Sequence, residues 1–296
     1  MINIHSKTLK DLEFPSVCAQ VSALCTTEKG KERALALKPK KSNRKTLVAL
    51  HQTHEYVNSK VQESAIPNHG FDPIDSELRM LHIEETVLET NSFRKLGGIS
   101  ETVNTHLRFF KKHGEIYPNL TMLVQETEYT TAIVDAINQV IDRFGEIKDD
   151  ASPLLKQTRQ QINIVKGRIN SSFASALSTY SSHGYLDDIR ETVVDNVRVL
   201  AVQAMHRRKV KGSILGNSKT GSIVYIQPEA TMHNQRELNN LVYEENEEIK
   251  RIRKELTERI RPYRELLADY QVLLAKIDVI SAKAKYAEKI NAVLPK

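Results

Sequence analysis

The sequence is poor in the residues that usually mark sheet-rich or secreted proteins. It has no Trp, only 6% aromatic residues, and 11 Gly, 9 Pro and 2 Cys among 296 residues. Together with 27% charged residues, this composition favours long solvent-exposed helices. Cys18 and Cys25 fall in one segment of helical periodicity, where roughly 10 Å of helix separates them, too far for a disulfide. We therefore predict two buried free thiols and find no sign of an oxidising compartment.

Long apolar runs are missing as well. No window approaches the roughly 20 apolar residues of a membrane span. The first residues, MINIHSKTLKDLEF, are charged and lack the apolar core of a signal peptide. We therefore expect a cytoplasmic protein that does not contact a membrane. The net charge of +6 suits an acidic partner such as nucleic acid.

Hydrophobic periodicity predicts helices at both ends of the chain. Through residue 150, apolar residues recur at helical spacing, and we predict a helical core over 1–150, broken at Pro15 and in the loop 66–74. Residues 151–182 form one long helix with a narrow apolar stripe, typical of a coiled coil, and with cations but no Asp or Glu over 153–179. From 231 to 296 the helical period returns, with NQRE (234–237) as a capping box and a kink or break expected at Pro262.

Between 183 and 230 the period changes to two. The segments TVVDNVRVLAVQA, KVKGSIL and GSIVYIQ predict a small antiparallel sheet that Pro228 closes. The order of the four parts predicts a mainly α fold: a helical core bundle and two long antiparallel helices that hold a small antiparallel β sheet at their tip.

The stretch GSILGNSKTGSIVYIQP (212–228) looks at first like a phosphate-binding loop. The Walker A pattern requires Gly directly before its Lys and again five residues earlier, but Ser218 and Ser213 stand at these positions. A strand follows instead of the helix that such a loop needs. The stretch therefore predicts a hairpin, in which Gly216, Asn217 and Gly221 allow positive φ.

Two further motifs do not support a catalytic or metal site. HQTHE (51–55) spaces its histidines at i and i+3, unlike a zinc HExxH helix, and we assign it a surface or packing role. EENEE (244–248) precedes a basic run, which predicts a solvated helix face with i, i+4 pairs such as Glu247–Arg251 and Glu255–Arg259. We identify no catalytic residue, no metal ligand and no cofactor site in this chain.

A basic cluster is the best candidate for a binding site. HRRKVKG (206–212) supplies most of it, and strand alternation would place Arg207, Lys209 and Lys211 on one face. Such a cluster suits a phosphate backbone, which needs charge and reach but no base code. The alternative, a solvated edge strand protected by Lys, stays open. The candidate contacts are Arg207, Arg208, Lys209, Lys211 and Lys219, with Lys166 and Arg168 of the basic long helix as additional contacts.

Three motifs resemble the DNA mismatch repair MutS family, specifically the paralogue branch that lacks the mismatch-reading domains. TLKDLEFPSVCAQVSALCTTEKGKERALALKP (8–39) is similar to that branch's opening. SKTGSIVYIQP (218–228) is similar to its Ser-x-Ser-Gly-x-Thr-x-Phe-Ile-Glu-Pro signature, with departures at Ile223 and Gln227. The segment 267–287 resembles the stretch before the family's ATPase domain, chiefly through Asp278 and the Ala-Lys-Ala at 282–284. VRVLAVQ (197–203) departs from the branch's Arg-Tyr-Val-Leu-Pro-Val-Lys-like strand, since the Pro and Lys are missing and the Arg is displaced by one position.

The resemblance implies a helical core, paired lever helices and a sheet that clamps DNA backbone. It also implies a fragment of a dimeric parent protein whose ATP and Mg bind in an ATPase domain beyond this chain. The partner would be double-stranded or branched DNA, with a ribosome as an alternative for the same clamp. The competing hypothesis is a helical scaffold for protein partners, in which the basic residues only aid solubility.

Overall fold

The fold of residues 5–40, 42–60 and 64–295 is described by a computed structural model, in which helices predominate and one small sheet interrupts them. The helices are α1 (Ser6–Asp11), α2 (Phe14–Ala23), α3 (Glu28–Leu35), α4 (Asn43–Ser59), α5 (Asp75–His82), α6 (Thr90–His113), α7 (Pro118–Thr121), α8 (Ala132–Val140), α9 (Pro153–Ser182), α10 (Glu229–Ile260) and α11 (Arg264–Lys289). The strands are β1 (Leu186–Val194), β2 (Val197–Gln203), β3 (Gly212–Asn217) and β4 (Ile223–Pro228). The mainly α prediction with a small antiparallel sheet is confirmed.

The chain divides into two compact units. The first comprises 1–148 and 253–296, and the second comprises 149–252. The division falls inside α10, between Ile252 and Arg253. The four-part domain scheme with boundaries at 150, 182 and 230 stays a prediction.

The helical core of the first unit is interrupted at more places than the periodicity indicated. Pro15 lies in the first turn of α2, as predicted. The segment that carries both cysteines breaks after Ala23, however, because Thr27 caps the next helix by accepting a hydrogen bond from the Gly30 amide. Cys25 thus lies between two helices, and both thiols are buried and free. The predicted helical core is also interrupted beyond the loop 66–74, since α7 ends at Thr121 and α8 begins only at Ala132.

A buried carboxylate joins three distant segments of the first unit. Asp278 of α11 is fully buried. It accepts hydrogen bonds from the amides of Thr26 and Thr27 at 2.9 and 2.8 Å and from the Thr27 hydroxyl at 2.6 Å. The His69 Nε2–H donates to it at 3.1 Å. Burial by itself would raise the pKa of Asp278, but these hydrogen bonds outweigh burial and lower the pKa to about 2.

In the second unit, the apolar stripe of α9 is buried as predicted. Ser152 caps the helix by accepting a hydrogen bond from the Leu155 amide, and Pro153 occupies the first turn. The buried stripe consists of Leu155, Thr158, Ile162, Val165, Ile169 and Phe173.

Polar bonds pair α9 with α10 in antiparallel order. The Ser152 hydroxyl donates to Glu248 at 2.5 Å, and Arg159 Nε donates to Glu245 at 2.7 Å. Further along, an Arg168–Glu237 ion pair closes at 3.9 Å. Positions rise along α9 as they fall along α10, which is the order that antiparallel helices require.

The sheet has strand order β1-β2-β4-β3, with every neighbouring pair antiparallel. Asp195 and Asn196 join β1 to β2 and both have positive φ, as a tight two-residue hairpin requires. One face packs Leu200 and Val202 against Phe173 of α9. The sheet is therefore held to the C-terminal half of α9 by apolar contact.

α10 begins earlier than the capping box NQRE indicated. Pro228 ends β4 and the helix starts at Glu229, where Thr231 donates its hydroxyl to the Pro228 carbonyl at 2.9 Å. The break expected at Pro262 is confirmed, since a 3₁₀ turn, Arg261–Tyr263, separates α10 from α11.

Candidate nucleic-acid interface

Four of the predicted cations, Arg207, Arg208, Lys209 and Lys211, lie on a crossover and not on a strand. β2 and β3 flank β4 on opposite sides, so residues 204–211 must pass across the sheet to join them. Val210 anchors this crossover by inserting its side chain into the core beside Phe173 and Ile226. The prediction that strand alternation places Arg207, Lys209 and Lys211 on one face is therefore wrong.

At Gly212 the backbone at the end of the crossover comes very close to β4. A Cβ at this position would lie 2.0 Å from the Gln227 carbonyl oxygen, and φ is +154°. Only glycine allows the crossover to approach β4 this closely. Next to it, the Lys211 amide donates to the Tyr180 hydroxyl at 3.2 Å and the Lys211 carbonyl accepts from the Glu229 amide at 3.1 Å.

Lys219 lies in the β3–β4 hairpin, as predicted. Gly221 has the expected positive φ of +72°. The Ser218 amide donates to the Ile223 carbonyl at 2.9 Å, and the Ser218 hydroxyl accepts from the Ile223 amide at 3.1 Å. Gly216, in contrast, lies inside β3 at a register irregularity and does not form the turn.

The strand register distributes the cations between the two ends of the sheet. The Ala204 amide donates to the Ser222 carbonyl at 2.8 Å, so the start of the crossover lies beside the hairpin that carries Lys219. Lys211 lies at the opposite end, where Gly212 pairs with Pro228. The cluster thus extends along the crossover and is not one compact patch.

The region that carries the predicted cations is free of acidic residues. From 196 to 228 the sequence contains no Asp or Glu. All five predicted cations of this region are exposed, and within the described part of the chain none has a carboxylate in ion-pair range. These are Arg207, Arg208, Lys209, Lys211 and Lys219. Unpaired exposed cations can approach phosphate groups without first breaking an internal ion pair.

Arg198 shows the contrasting case. Its guanidinium donates to Glu191 at 2.6 Å and to Asn170 at 3.1 Å. It also lies over the Phe173 ring, 4.3 Å from the centroid. Arg198 therefore holds the sheet to α9.

The additional contacts on α9 differ from each other. Lys166 is exposed, and among the described residues it has no ion-pair partner. Arg168 pairs with Glu237, and Arg159 pairs with Asp149 and Glu245. The basic helix is thus partly neutralised by acidic residues of α10.

The acidic run 244–248 is not simply a solvated face. Glu248 is buried and accepts from Ser152 and from Arg251, whose Nε lies 2.7 Å away. The hydrogen bond from Arg251 lowers the pKa of Glu248 against the effect of burial. Periodicity could not reveal this role, because the partner is ninety-six positions away along the chain.

An aromatic cluster beside the crossover escaped the sequence prediction. The rings of His183 and Tyr185 stack with centroids 5.3 Å apart, and the His206 ring lies 5.0 Å from Tyr185. Lys209 Nζ lies 5.2 Å from the Tyr185 centroid. The only local signal is that His183 lies three residues before β1 and His206 three residues after β2, which hydrophobic periodicity does not take into account.

The histidine motif HQTHE has a packing role. Glu55 accepts from the amides of Asn119 and Leu120 at 3.0 and 2.9 Å and so orients the start of α7. The side-chain Nδ2 of Asn58 donates to the His54 Nε2 at 3.1 Å. Across the positions that the structure describes, no three His, Cys, Asp or Glu side chains group closely enough to hold a metal ion. No helix within those positions combines the length and apolar character of a membrane span.

Sequence comparison relates this chain to known proteins. The chain is similar to MutS2 proteins. It is 29% identical to the putative endonuclease MutS2 of Bacillus subtilis and 28% identical to endonuclease MutS2 of Bacillus velezensis, in both cases over 99% of its length. It is 30% identical to endonuclease MutS2 of Finegoldia magna over the same share. These matches support a relationship to the MutS family, although no family model matches the chain.

The chain spans 37–38% of the length of these MutS2 relatives.

Proposed function

We propose that this chain is the core, lever and clamp region of a MutS-like, ATP-dependent protein of DNA repair or recombination. In this proposal the sheet contacts the phosphate backbone of double-stranded or branched DNA, in the cytoplasm. One observation carries the proposal: five exposed cations lie along the crossover and hairpin, without an ion-pair partner in the described chain, in a segment that lacks acidic residues. The similarity to MutS2 supports it.

The paired helices α9 and α10 would act as the lever. Their stripe of buried apolar residues and the bonds Ser152–Glu248 and Arg159–Glu245 give the pair the stiffness that a lever needs. ATP and Mg would bind in a domain of the parent protein outside this chain. The parent would be a homodimer, in which two clamps enclose the DNA and raise affinity through avidity.

The relatives are named endonucleases, but we propose that this chain itself is not catalytic. The purified chain should neither hydrolyse ATP nor cut supercoiled plasmid above a buffer control. Either activity would contradict the non-catalytic proposal if it copurified with the chain and was lost when residues of the chain were substituted.

The binding proposal is tested by titrating a fluorescent duplex with the purified chain. The triple variant Arg207→Ala, Arg208→Ala, Lys211→Ala, called the crossover variant below, should bind more weakly at low salt. The slope of log K against log salt should fall by about 2 to 3, since each lost phosphate contact removes roughly 0.9. The weakening should not depend on base sequence, because backbone contacts carry no code.

A matched variant removes three exposed lysines of the first unit. Lys45→Ala, Lys111→Ala, Lys112→Ala lowers the net charge equally, and within the part of the chain that the structure describes none of these side chains forms an ion pair. It should leave the salt slope nearly unchanged. Equal slopes for the wild type and the crossover variant would overturn the clamp proposal and favour the protein scaffold. A much stronger interaction with purified ribosomes than with any DNA would favour the ribosomal alternative.

A further inference from the structure

The aromatic cluster at one end of the sheet has a geometry that backbone binding does not require. His183 stacks on Tyr185 with their planes inclined by 29°, and the His206 ring lies tilted against Tyr185 at 39°. His183 is exposed, and the other two rings are half-buried. The exposed His183 ring therefore rests on the half-buried Tyr185 ring.

The chain holds the outer ring of this stack in place. α9 ends at Ser182, and Gly184 turns the chain with φ of +68°. The His183 Nδ1–H donates to the Thr179 carbonyl at 2.6 Å, which fixes the ring against the helix end. The Tyr185 carbonyl accepts from the Gln203 amide at 3.0 Å, so the middle of the stack is joined to the end of β2.

The surroundings of the rings suit a nucleic acid. Met205, directly before His206, is 80% exposed and adds an apolar surface. Arg207, Arg208 and Lys209 follow without interruption, and Lys209 lies over the Tyr185 ring. Proteins that bind single strands combine cations for the backbone with exposed rings on which bases stack.

Internal packing accounts for the middle ring of the cluster but not for the outer one. Tyr185 packs against the apolar core of the sheet, which includes Phe173, Leu200 and Val202. His183 lies outside that core, and its outer surface contributes little to folding because it faces solvent. A ring that is fixed but left exposed is preorganised for a planar ligand.

We propose that this ring cluster is a stacking site for an unpaired base of a DNA strand whose phosphates are held by the crossover cations. The inference rests on the proposed function and specifies its substrate class. A continuous duplex hides its bases in the helical stack, whereas a single strand or a gap offers a base that can stack on His183. The site should read no sequence, because every base has a π face.

The test uses three probes that share a backbone: a single-stranded oligonucleotide, the same strand with abasic residues, and a fully paired duplex. His183→Ala should weaken binding to the single strand by about tenfold, as loss of one stacked base does. It should leave duplex and abasic binding unchanged. His183→Phe restores the ring but not the hydrogen bond to Thr179, so recovery by this variant identifies stacking as the cause.

A second readout does not depend on affinity. A strand with one 2-aminopurine should lose fluorescence on binding the wild type and the His183→Phe variant, but not the His183→Ala variant.

If His183→Ala weakens all three probes alike, or none, the stacking site is wrong. The crossover variant Arg207→Ala, Arg208→Ala, Lys211→Ala separates the two proposals, because it should weaken every probe. If it does so while His183→Ala has no effect, the clamp stands and the stacking inference falls. If the wild type binds no probe, both fall.

Discussion

Gly30 and Asp278 approach each other so closely that no side chain fits between them. A Cβ on Gly30 would lie 2.0 Å from the Asp278 Oδ2. That oxygen already accepts hydrogen bonds from the amide and the hydroxyl of Thr27. The N-terminus of α3 is therefore built directly onto the carboxylate, and the glycine is required by contact and not by backbone conformation.

Substituting Gly30→Ala should destabilise the protein by about 1–3 kcal/mol, as overpacking of a fixed site does. The carboxylate cannot move aside without losing several hydrogen bonds at once. Gly98→Ala in α6 is the matched control, since a Cβ there meets nothing within 4 Å. The control should be neutral or stabilising by up to ~1 kcal/mol, because Ala is the better helix former. Urea unfolding measures both; equal stability of the two variants would contradict the contact argument.

The lowered pKa of Asp278 predicts loss of stability in acid. The ionised carboxylate is favoured in the folded state, where its pKa is about 2 against an ordinary value of 3.8. Its contribution, about 2 kcal/mol, is therefore complete above the ordinary value and disappears as the pH falls through about 2. The difference in unfolding free energy between the wild type and Asp278→Asn should shrink from about pH 5 to about pH 2.5. A difference that stays constant over this range would contradict the assignment.

Ser152 should matter more than an ordinary helix cap. Its hydroxyl oxygen accepts from the Leu155 amide, and its hydrogen is donated to the buried Glu248. Ser152→Ala removes both bonds and should cost about 1–3 kcal/mol. Ser42→Ala, which removes only the exposed cap on the Lys45 amide, should cost about 1 kcal/mol or less. Thermal unfolding of the two variants compares them, and a larger loss for Ser42→Ala would refute this ranking.

Arg261 holds a loop of the first unit to the turn that follows α10. Its guanidinium donates to the carbonyls of Leu81 at 2.7 Å, Ile83 at 2.8 Å and Thr86 at 3.1 Å. A lysine cannot make this fork of bonds, so Arg261→Lys should destabilise the protein by about 1–2 kcal/mol. Arg264→Lys, which alters only an exposed pair with Glu265, should change stability by less than about 0.5 kcal/mol. Similar effects of both substitutions on urea unfolding would argue against the fork.

The two cysteines should be inert in the folded protein. Burial raises the pKa of the Cys18 thiol, and burial followed by the nearby charge of Asp278 raises that of Cys25 to about 12. Since the thiolate is the reactive form, a thiol reagent at neutral pH should label neither residue on the timescale on which it labels the unfolded chain. Rapid native labelling, with Cys18→Ser used to identify the site, would contradict this expectation.

Periodicity predicted the elements whose determinants are local. The stripe of α9, the hairpin at Lys219 and the break at Pro262 depend on residues within a few positions of one another, and the structure has all three. Prediction failed where a distant partner decides the outcome. The helix start at Glu229 and the short α7 are examples, since Pro228 belongs to a sheet and Glu55 supplies the bonds that orient α7.

The candidate site shows the same limit. Its five cations were identified from their types and spacing alone. Their placement could not be predicted in this way. Residues 204–211 pass from one side of β4 to the other without forming a strand, so strand alternation does not apply to them. The stacked rings of His183 and Tyr185 were missed altogether, since neither residue carries a periodic signal.

The amino-acid sequence by itself determined the helical class, the position of the sheet and a stretch of cations without acidic residues, because these follow from composition and short-range pattern. Only the tertiary structure decided the strand order, the pairing of Arg159, Arg168 and Arg198, and the freedom of the crossover cations. The physical reason is that an ion pair or a strand register depends on which groups meet in space. Paired charges stabilise the fold, whereas exposed charges without a partner are available to a ligand.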